Sequence, residues 1–119
     1  MKATMSKWSD WIDITEPDVL NNMYRDMLKK SGFKILGEID YHFQPQGYTK
    51  LFLLAESHFA IHTFPEEGKT YIELSSCNEA MYNNFLMYQG NDAGRHPKNR
   101  GGVNGKDGAT KKGDRQKGI

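Results

Sequence analysis

The sequence predicts an α+β fold, a two-layer sandwich in which a mostly antiparallel sheet packs against two helices, followed by a disordered C-terminal tail. Three observations lead to this fold class. An apolar stripe with helical spacing near the start of the chain is followed by several runs with a two-residue period, and a second short helical stripe comes after them. With 119 residues, the chain suits one small domain with a modest core.

The first elements are a short strand and a long helix. The strand is expected at the apolar run of residues 11–14. The helix is expected over residues 17–31, because Thr15 can cap its start, Pro17 is tolerated in a first turn and Gly32 permits a left-handed end. Six apolar side chains share one face of this helix and are assigned to the core: Val19, Leu20, Met23, Tyr24, Met27 and Leu28.

The sheet is expected to come from the alternating runs that follow the helix. In residues 33–43 apolar side chains fall on every second position, as in a strand with one buried face. Residues 44–47 contain Pro45 and Gly47 and are interpreted as a turn. Three further strands are expected over residues 48–55, 58–64 and 70–75.

The end of the chain combines a short helix with a tail of different composition. Asn78 is expected to cap the helix. Residues 1–88 carry eight basic and twelve acidic residues, whereas residues 89–119 carry eight basic residues, three acidic residues, eight glycines and no aromatic residue. Because the tail cannot bury enough apolar surface to offset its ordering entropy, we expect one domain over residues 1–88 and a disordered basic tail over residues 89–119.

Composition restricts the partners and the compartment. No apolar run is long enough to span a bilayer and no secretory leader is recognisable, so no membrane association is expected. The basic tail could contact phosphates, but no aromatic residues are interleaved with its charges to stack on bases, so nucleic acid is not expected as a partner. Because Cys77 is the single cysteine, no intramolecular disulfide can form, and a cytoplasmic location is expected.

A dense polar cluster in residues 54–66 is the main candidate for a functional site. Hydroxyls, histidines and carboxylates lie there among apolar residues, and such groups are costly to bury without partners. Ser57 follows Glu56 at a corner with little room for a relaxed loop, where its hydroxyl could attack the preceding carbonyl carbon in an N→O acyl shift; an ordinary turn serine is the alternative. Phe64 and Glu66 could stack a base and hold a ribose hydroxyl, or be ordinary exposed turn residues.

The histidines and the cysteine allow several roles. His58 and His62 share one face of their strand because side chains alternate. An acid/base role for one of them is favoured over zinc binding, since no paired ligand spacing accompanies them, and no metal site is expected. His42 and His96 are interpreted as structural. Cys77 follows the last strand, where it could be a proton donor or a nucleophile; a small buried apolar residue is the alternative.

Several motifs resemble, in order and spacing, those of the short prokaryotic S-adenosylmethionine decarboxylases. The matching motifs are Phe43-Gln44-Pro45-Gln46-Gly47, Ala55-Glu56-Ser57-His58, His62-Thr63-Phe64-Pro65-Glu66, Gly68 and Ser76-Cys77. The spacings agree through residues 43–77, and the resemblance covers roughly residues 8–88. Because several chemically distinct residues agree at once, the resemblance is specific.

The resemblance implies a pyruvoyl enzyme made by self-processing. Ser57 Oγ would attack the Glu56 carbonyl to form an ester, and β-elimination would release a chain that ends at Glu56. The second chain would begin with a pyruvoyl group derived from Ser57, the cofactor, which forms a Schiff base with the amine of S-adenosylmethionine as carbon dioxide leaves. By the same resemblance His62 assists processing, Thr49 supports it, and Cys77 returns a proton to the substrate carbon.

The resemblance also implies the substrate contacts and the partners. Phe43 and Phe64 match positions that flank adenine, with Phe64 replacing a frequent tryptophan, and Glu66 matches a carboxylate near the ribose and the sulfonium. The product would be the aminopropyl donor for spermidine synthesis. Because the family's sites lie at a subunit interface, a homodimer is expected. The chain departs from the family after its second helix, where the tail replaces a further strand, and either an unprotected sheet edge or an edge covered by another subunit is expected.

Three alternative functions remain open at this point. Pyruvoyl relatives decarboxylate ornithine or arginine, phage enzymes cleave S-adenosylmethionine as lyases, and an unprocessed homologue could bind S-adenosylmethionine or partner a second subunit without turnover. The retained substrate-contact residues favour the nucleoside substrate, and the retained processing residues favour decarboxylation over lyase chemistry.

Overall fold

The computed structural model describes residues 3–92 of the chain, with side chains described through residue 90. Within these residues, five antiparallel strands form one sheet and two helices pack on one of its faces, which confirms the predicted fold class. The helices are α1 (Pro17–Ser31) and α2 (Glu79–Asp92). The strands are β1 (Ser6–Ile12), β2 (Ile35–His42), β3 (Tyr48–Leu54), β4 (Ser57–Phe64) and β5 (Lys69–Ser76), in the order β1-β5-β4-β3-β2 across the sheet.

The core lies between the sheet and the two helices. Tyr24 of α1, Phe59 of β4 and Phe85 of α2 are fully buried. Their rings are in contact, with centroids 4.9 Å apart for Tyr24 and Phe59 and 5.4 Å apart for Phe59 and Phe85. This aromatic cluster ties both helices to β4, the central strand that begins with Ser57.

The ends of α1 match the prediction only in part. Its range is confirmed, and Gly32 ends it in the left-handed conformation (φ 108°) with its N–H bonded to the carbonyls of the last turn. The predicted cap by Thr15 is wrong, because Glu16 occupies the capping position and its side chain makes no capping hydrogen bond. Val19 was also wrongly assigned to the core: it lies at the margin of the apolar stripe and is exposed.

Strand β2 covers the predicted face only at its start, where Ile35 packs on the core, and the faces exchange after a β-bulge between Ile35 and Gly37. Ile39 and Tyr41 are exposed, Ile39 at 67%. The acidic Glu38 instead faces the helices, where it forms ion pairs with Arg25 of α1 at 2.6 Å and with Lys50 of β3 at 2.7 Å. The bulge adds one unpaired residue, so odd positions face the helices before it and even positions face them after it, which the alternation of apolar residues does not reveal.

The two ends of the described chain also extend beyond the predicted elements. β1 begins at Ser6 because its backbone pairs in continuous register with β5, from Ser6 opposite Ser76 to Ile12 opposite Thr70. At the other end Asn78 caps α2 as predicted, with its Oδ1 accepting the Met81 N–H at 2.9 Å. α2 continues to Asp92, four residues into the predicted tail, and the rest of the tail lies outside the described residues.

We call the sheet surface turned away from the helices the open face. Directly opposite residues of antiparallel strands lie on the same side of a sheet. The register therefore places five side chains in one row across the open face: Tyr41, Thr49, His62, Tyr71 and Trp11. A second row contains Ile39, Leu51 and Ala60. Across residues 3–92, neither helix combines the length and apolar character needed to cross a membrane.

Candidate functional site

The turn between β3 and β4 carries the predicted cleavage site. Leu54 pairs with Ser57, so only Ala55 and Glu56 connect the two strands. Glu56 has φ 60°, a left-handed conformation that is uncommon for residues other than glycine and costs about 1–3 kcal/mol. Its persistence here is explained by the strand pairing on both sides, which leaves the turn little freedom.

The Ser57 hydroxyl is buried and held by a short hydrogen-bond chain. Ser57 Oγ donates to Ser76 Oγ at 2.8 Å, and Ser76 Oγ in turn accepts the N–H of Asn78 at 2.9 Å. These contacts join the start of β4 to the end of β5, just before the cap of α2. The hydroxyl is therefore fixed beside the peptide bond that precedes it.

The Cys77 thiol contacts the carbonyl oxygen of the same peptide bond. Its Sγ is 3.2 Å from the Glu56 carbonyl oxygen and 3.4 Å from Glu56 Oε1, so it can donate to either acceptor. Partial desolvation, followed by the hydrogen bond to Glu56 and its charge, raises the pKa of the Cys77 thiol. Glu56, Ser57 and Cys77 form one group, which we call the cleavage centre.

Thr49 and His62 form a second group, which we call the histidine pair. Thr49 Oγ1 is 3.1 Å from His62 Nδ1, and the His62 ring stacks on Tyr71 with the centroids 6.2 Å apart. His62 is five residues along β4 from Ser57, which is about 16 Å at the usual strand rise. Its side chain is on the open face, whereas Ser57 points toward the helices, so one chain does not bring the two together.

The three predicted substrate contacts lie at the end of the sheet near the histidine pair. Phe64 is exposed beside Trp11, with ring centroids 5.7 Å apart, and Glu66 is exposed in the single turn Pro65–Glu67 that follows β4. Phe43 is exposed at the end of β2 and contacts the Tyr41 ring edge-on at 4.8 Å. All three are accessible to a ligand.

A pocket of about 290 Å³ lies beside Phe43, between the turn at residues 44–47 and the start of α1. Thr63 also lines this pocket, and its buried hydroxyl has no hydrogen-bond partner among the described residues. Phe64 and Glu66 do not contribute to its walls. The pocket therefore brings only Phe43 of the three predicted contacts to its surface.

The other histidines occupy ordinary positions. His58 Nε2 is 4.0 Å from Glu73 Oε2 on the open face, and the His42 ring contacts Tyr48 at 4.6 Å. His96 lies outside the described residues. Within the part of the chain that the structure describes, no three acidic, histidine or cysteine side chains come together as a metal ion would require.

Two aromatic residues near the site were missed by the sequence analysis. Trp11 and Tyr71 have ring centroids 5.2 Å apart and extend the row of the histidine pair toward β1. Tyr71 donates to Glu73 Oε1 at 3.0 Å, and burial raises its pKa. The signal that could have found them was the register of β1 against β5, which aligns position 11 with position 71, and thus with His62.

Comparisons with known proteins agree on one family. A family profile described as S-adenosylmethionine decarboxylase matches residues 10–89. The S-adenosylmethionine decarboxylase proenzyme of Prochlorococcus marinus (strain MIT 9313) is 45% identical over 51 residues, which are 43% of this chain and 41% of the relative. The proenzyme of Geobacillus kaustophilus is 36% identical over 69 residues, which are 57% of this chain and 55% of the relative. The chain thus spans about half the length of the curated relatives it matches.

The fold is also similar to that of a solved structure. The adenosylmethionine decarboxylase from Aquifex aeolicus superposes with a TM-score of 0.59 at 22% sequence identity, covering 71% of this chain and 74% of that chain. At this identity the likeness concerns the fold: a sheet with helices on one face.

Proposed function

The chain belongs to the S-adenosylmethionine decarboxylase family, whose profile matches residues 10–89, and on that premise we propose that it is a self-processing, pyruvoyl-dependent S-adenosylmethionine decarboxylase. Its product would be decarboxylated S-adenosylmethionine, the aminopropyl donor for spermidine synthesis. The observation that carries the proposal is the Cys77 thiol at 3.2 Å from the carbonyl oxygen of Glu56, directly before Ser57.

The cleavage centre supports self-processing in three ways. The left-handed conformation of Glu56 stores strain in the turn, and the Cys77 thiol can polarise the Glu56 carbonyl by donating to its oxygen. Ser57 Oγ, already beside that carbonyl, would then attack its carbon, and the Glu56–Ser57 amide becomes an ester. Loss of the Ser57 α-proton then breaks the bond between Ser57 Cβ and Oγ, and the Glu56 carboxylate leaves. The nitrogen of Ser57, which the acyl shift freed from its amide bond, is finally replaced by the oxygen of water and leaves as ammonia.

The residues around Ser57 fit the pyruvoyl group that this reaction would leave. Its ketone would take up the substrate amine and accept electrons as carbon dioxide departs. Ser76 Oγ, which accepts from Ser57 Oγ at 2.8 Å, places a polar hydroxyl beside that position. Cys77 would return a proton to the substrate carbon, since its raised pKa keeps the thiol protonated at neutral pH.

The distance between the two groups supports a homodimer. The histidine pair is about 16 Å from Ser57 along β4, too far for a direct role within one chain. A second copy packed on the open face could bring its own His62 and Thr49 to the end of the sheet where Glu56 and Cys77 of this cleavage centre are exposed. The exposed apolar side chains of that face, such as Ile39 and Leu51, fit such a contact between copies.

The substrate contacts follow from the accessible side chains near the histidine pair. Phe43 and Phe64 present aromatic faces for the adenine, and Glu66 presents a carboxylate for the ribose hydroxyls and the sulfonium end. A cytoplasmic location stays a prediction from the single cysteine.

Intact mass under denaturing conditions tests the processing directly. We expect two fragments, residues 1–56 and residues 57–119, with a blocked N-terminus on the second. Ser57→Ala should give one uncut chain without activity, whereas the control Ser9→Ala, at an exposed serine of β1, should still be cut. Activity in uncut Ser57→Ala protein would contradict the mechanism.

Carbon dioxide release from S-adenosylmethionine, ornithine and arginine then tests the substrate. We expect release from S-adenosylmethionine alone. An uncut wild-type chain that releases none would leave a lyase or a non-catalytic binding protein as the explanation of the site. Release from ornithine or arginine would instead reassign the substrate.

A further inference from the structure

The Glu56 side chain lies against the Cys77 thiol, and the proposed reaction uses only the backbone of Glu56. Cys77 Sγ is 3.4 Å from Glu56 Oε1 and 3.2 Å from the Glu56 carbonyl oxygen. Both acceptors belong to the residue whose peptide bond would be cleaved. The thiol is exposed on its remaining side, so it is accessible to a substrate and to reagents.

A proton donor must hold its proton until the substrate needs it. A free cysteine has a pKa of about 8.5, so a small fraction is already thiolate at neutral pH. A carboxylate beside the thiol disfavours that thiolate, because two negative charges would then be in contact. Desolvation and then the contact with Glu56 raise the pKa of Cys77, in agreement with this geometry.

We propose that Glu56 is a positioning residue that keeps the Cys77 thiol protonated and directs it, so that the thiol can return a proton to the substrate carbon. The inference rests on the proposed decarboxylase function and adds a role for the Glu56 side chain. In the step concerned, the S–H bond breaks and a C–H bond forms at the carbon that has lost carbon dioxide. The thiolate left behind then takes a proton from water.

Three other titratable groups lie on elements near the thiol. Glu79 opens α2 two residues after Cys77, Lys7 lies on β1, and His58 lies on β4. Among the charged residues that the structure describes, Glu56 is the one whose side chain hydrogen-bonds with the thiol. Glu79 therefore offers a matched control, since it is an exposed glutamate close in sequence whose removal changes the net charge by the same amount.

The ionisation of this thiol can be measured directly because the chain has one cysteine. The full chain carrying Ser57→Ala, which keeps it uncut, would be alkylated with iodoacetamide from acid to alkaline pH. The midpoint of the rate against pH reports the pKa of Cys77. We expect Glu56→Gln in this background to move the midpoint to lower pH and to speed alkylation at neutral pH. Glu79→Gln should leave the midpoint in place.

The outcomes of the alkylation experiment are distinct. An unchanged midpoint in Glu56→Gln would overturn the proposal. Equal shifts in Glu56→Gln and Glu79→Gln would attribute the effect to overall charge and overturn it as well. Glu56→Asp, which keeps a carboxylate, should return the midpoint toward that of the parent, and failure to do so would count against a carboxylate effect.

A second measurement follows the consequence in cleaved protein. Glu56→Gln chains whose intact mass shows cleavage would be assayed for carbon dioxide release across pH. Cleavage turns the residue-56 carbonyl into a carboxylate in both proteins, so the difference between them reports the side chain alone, and we expect the alkaline limb of kcat to lie at lower pH in Glu56→Gln. A kcat profile identical to that of the wild type would overturn the role in proton return. A cleaved wild type that releases no carbon dioxide would instead refute the proposed function, whatever the alkylation result.

Discussion

The separation of Ser57 and His62 predicts that two inactive variants restore each other. Ser57→Ala lacks the nucleophile, and His62→Ala lacks the imidazole of the histidine pair. If each site combines the cleavage centre of one copy with His62 of another, a mixed dimer has one site with both residues and one site with neither. Neither variant alone should be cut.

The size of the effect follows from this arrangement. With equal amounts of the two chains and random pairing, about half of the dimers are mixed, and each has one competent site. About half of the His62→Ala chains, or about a quarter of all chains, should therefore be cleaved between Glu56 and Ser57. Ser57→Ala chains should remain intact.

Co-expression of the two variants with different affinity tags, followed by intact mass, measures these fractions. Chains purified separately and kept apart provide the control. If the co-expressed chains stay uncut while the wild-type chain is cut, Ser57 and His62 act within one copy and the argument is refuted. Cleavage of His62→Ala expressed alone would also refute the argument.

Three further predictions follow from other parts of the structure. The pKa of Glu38 is lowered from the usual 4.5 to about 2, and the largest cause is its hydrogen bond to Arg25. The ionised side chain therefore stabilises the fold above pH 4.5, and this contribution is lost as the pH falls toward 2. The urea-unfolding free energy of Glu38→Gln should therefore fall less between pH 5 and pH 3 than that of the parent, and an equal fall would contradict the assignment. Phe59 is fully buried among aromatic rings, so Phe59→Ala should lower the free energy of unfolding of an uncut chain by about 3–5 kcal/mol in urea titrations, and a loss below about 1 kcal/mol would show a poorly packed core. Trp11 contacts Phe64 on the open face, whereas Trp8 packs on Phe85 beneath the helices. Binding of S-adenosylmethionine should therefore change the tryptophan fluorescence of Trp8→Phe, which keeps Trp11, and leave that of Trp11→Phe unchanged. The reverse pattern would place the ligand elsewhere.

The sequence was sufficient to predict the helices and strands, but not to predict which side of each strand the helices cover. Helix α1 was predicted with its correct ends because its stripe and Gly32 are local signals. The alternation along β2 correctly predicts that Ile35 packs on the core, but Ile39 and Tyr41, expected on the same face, are exposed. The bulge between Ile35 and Gly37 exchanges the two faces along the strand, and a period of two in the sequence does not show where a bulge occurs.

The candidate site also depends on contacts between residues that are far apart in the sequence, and local patterns do not predict these contacts. The local pattern at Glu56 and Ser57 indicated a tight corner, and the corner exists with a left-handed Glu56. The contact between the Cys77 thiol and Glu56 joins residues 21 positions apart, and it depends on the pairing of β4 with β5. His62 is close to Ser57 in sequence but is carried away from it by an extended strand, which motif spacing does not reveal.

The strand order has a consequence for what cleavage would do to the molecule. A cut after Glu56 would divide the sheet between two polypeptides, with β1, β2 and β3 in the first and β4 and β5 in the second. In the order β1-β5-β4-β3-β2, the hairpin of the second polypeptide is inserted between strands of the first. Neither piece could leave without breaking the ladders on both sides of that hairpin. The nicked protein should therefore migrate as one particle under native conditions, and each fragment produced alone should lack a partner for its exposed edges and aggregate.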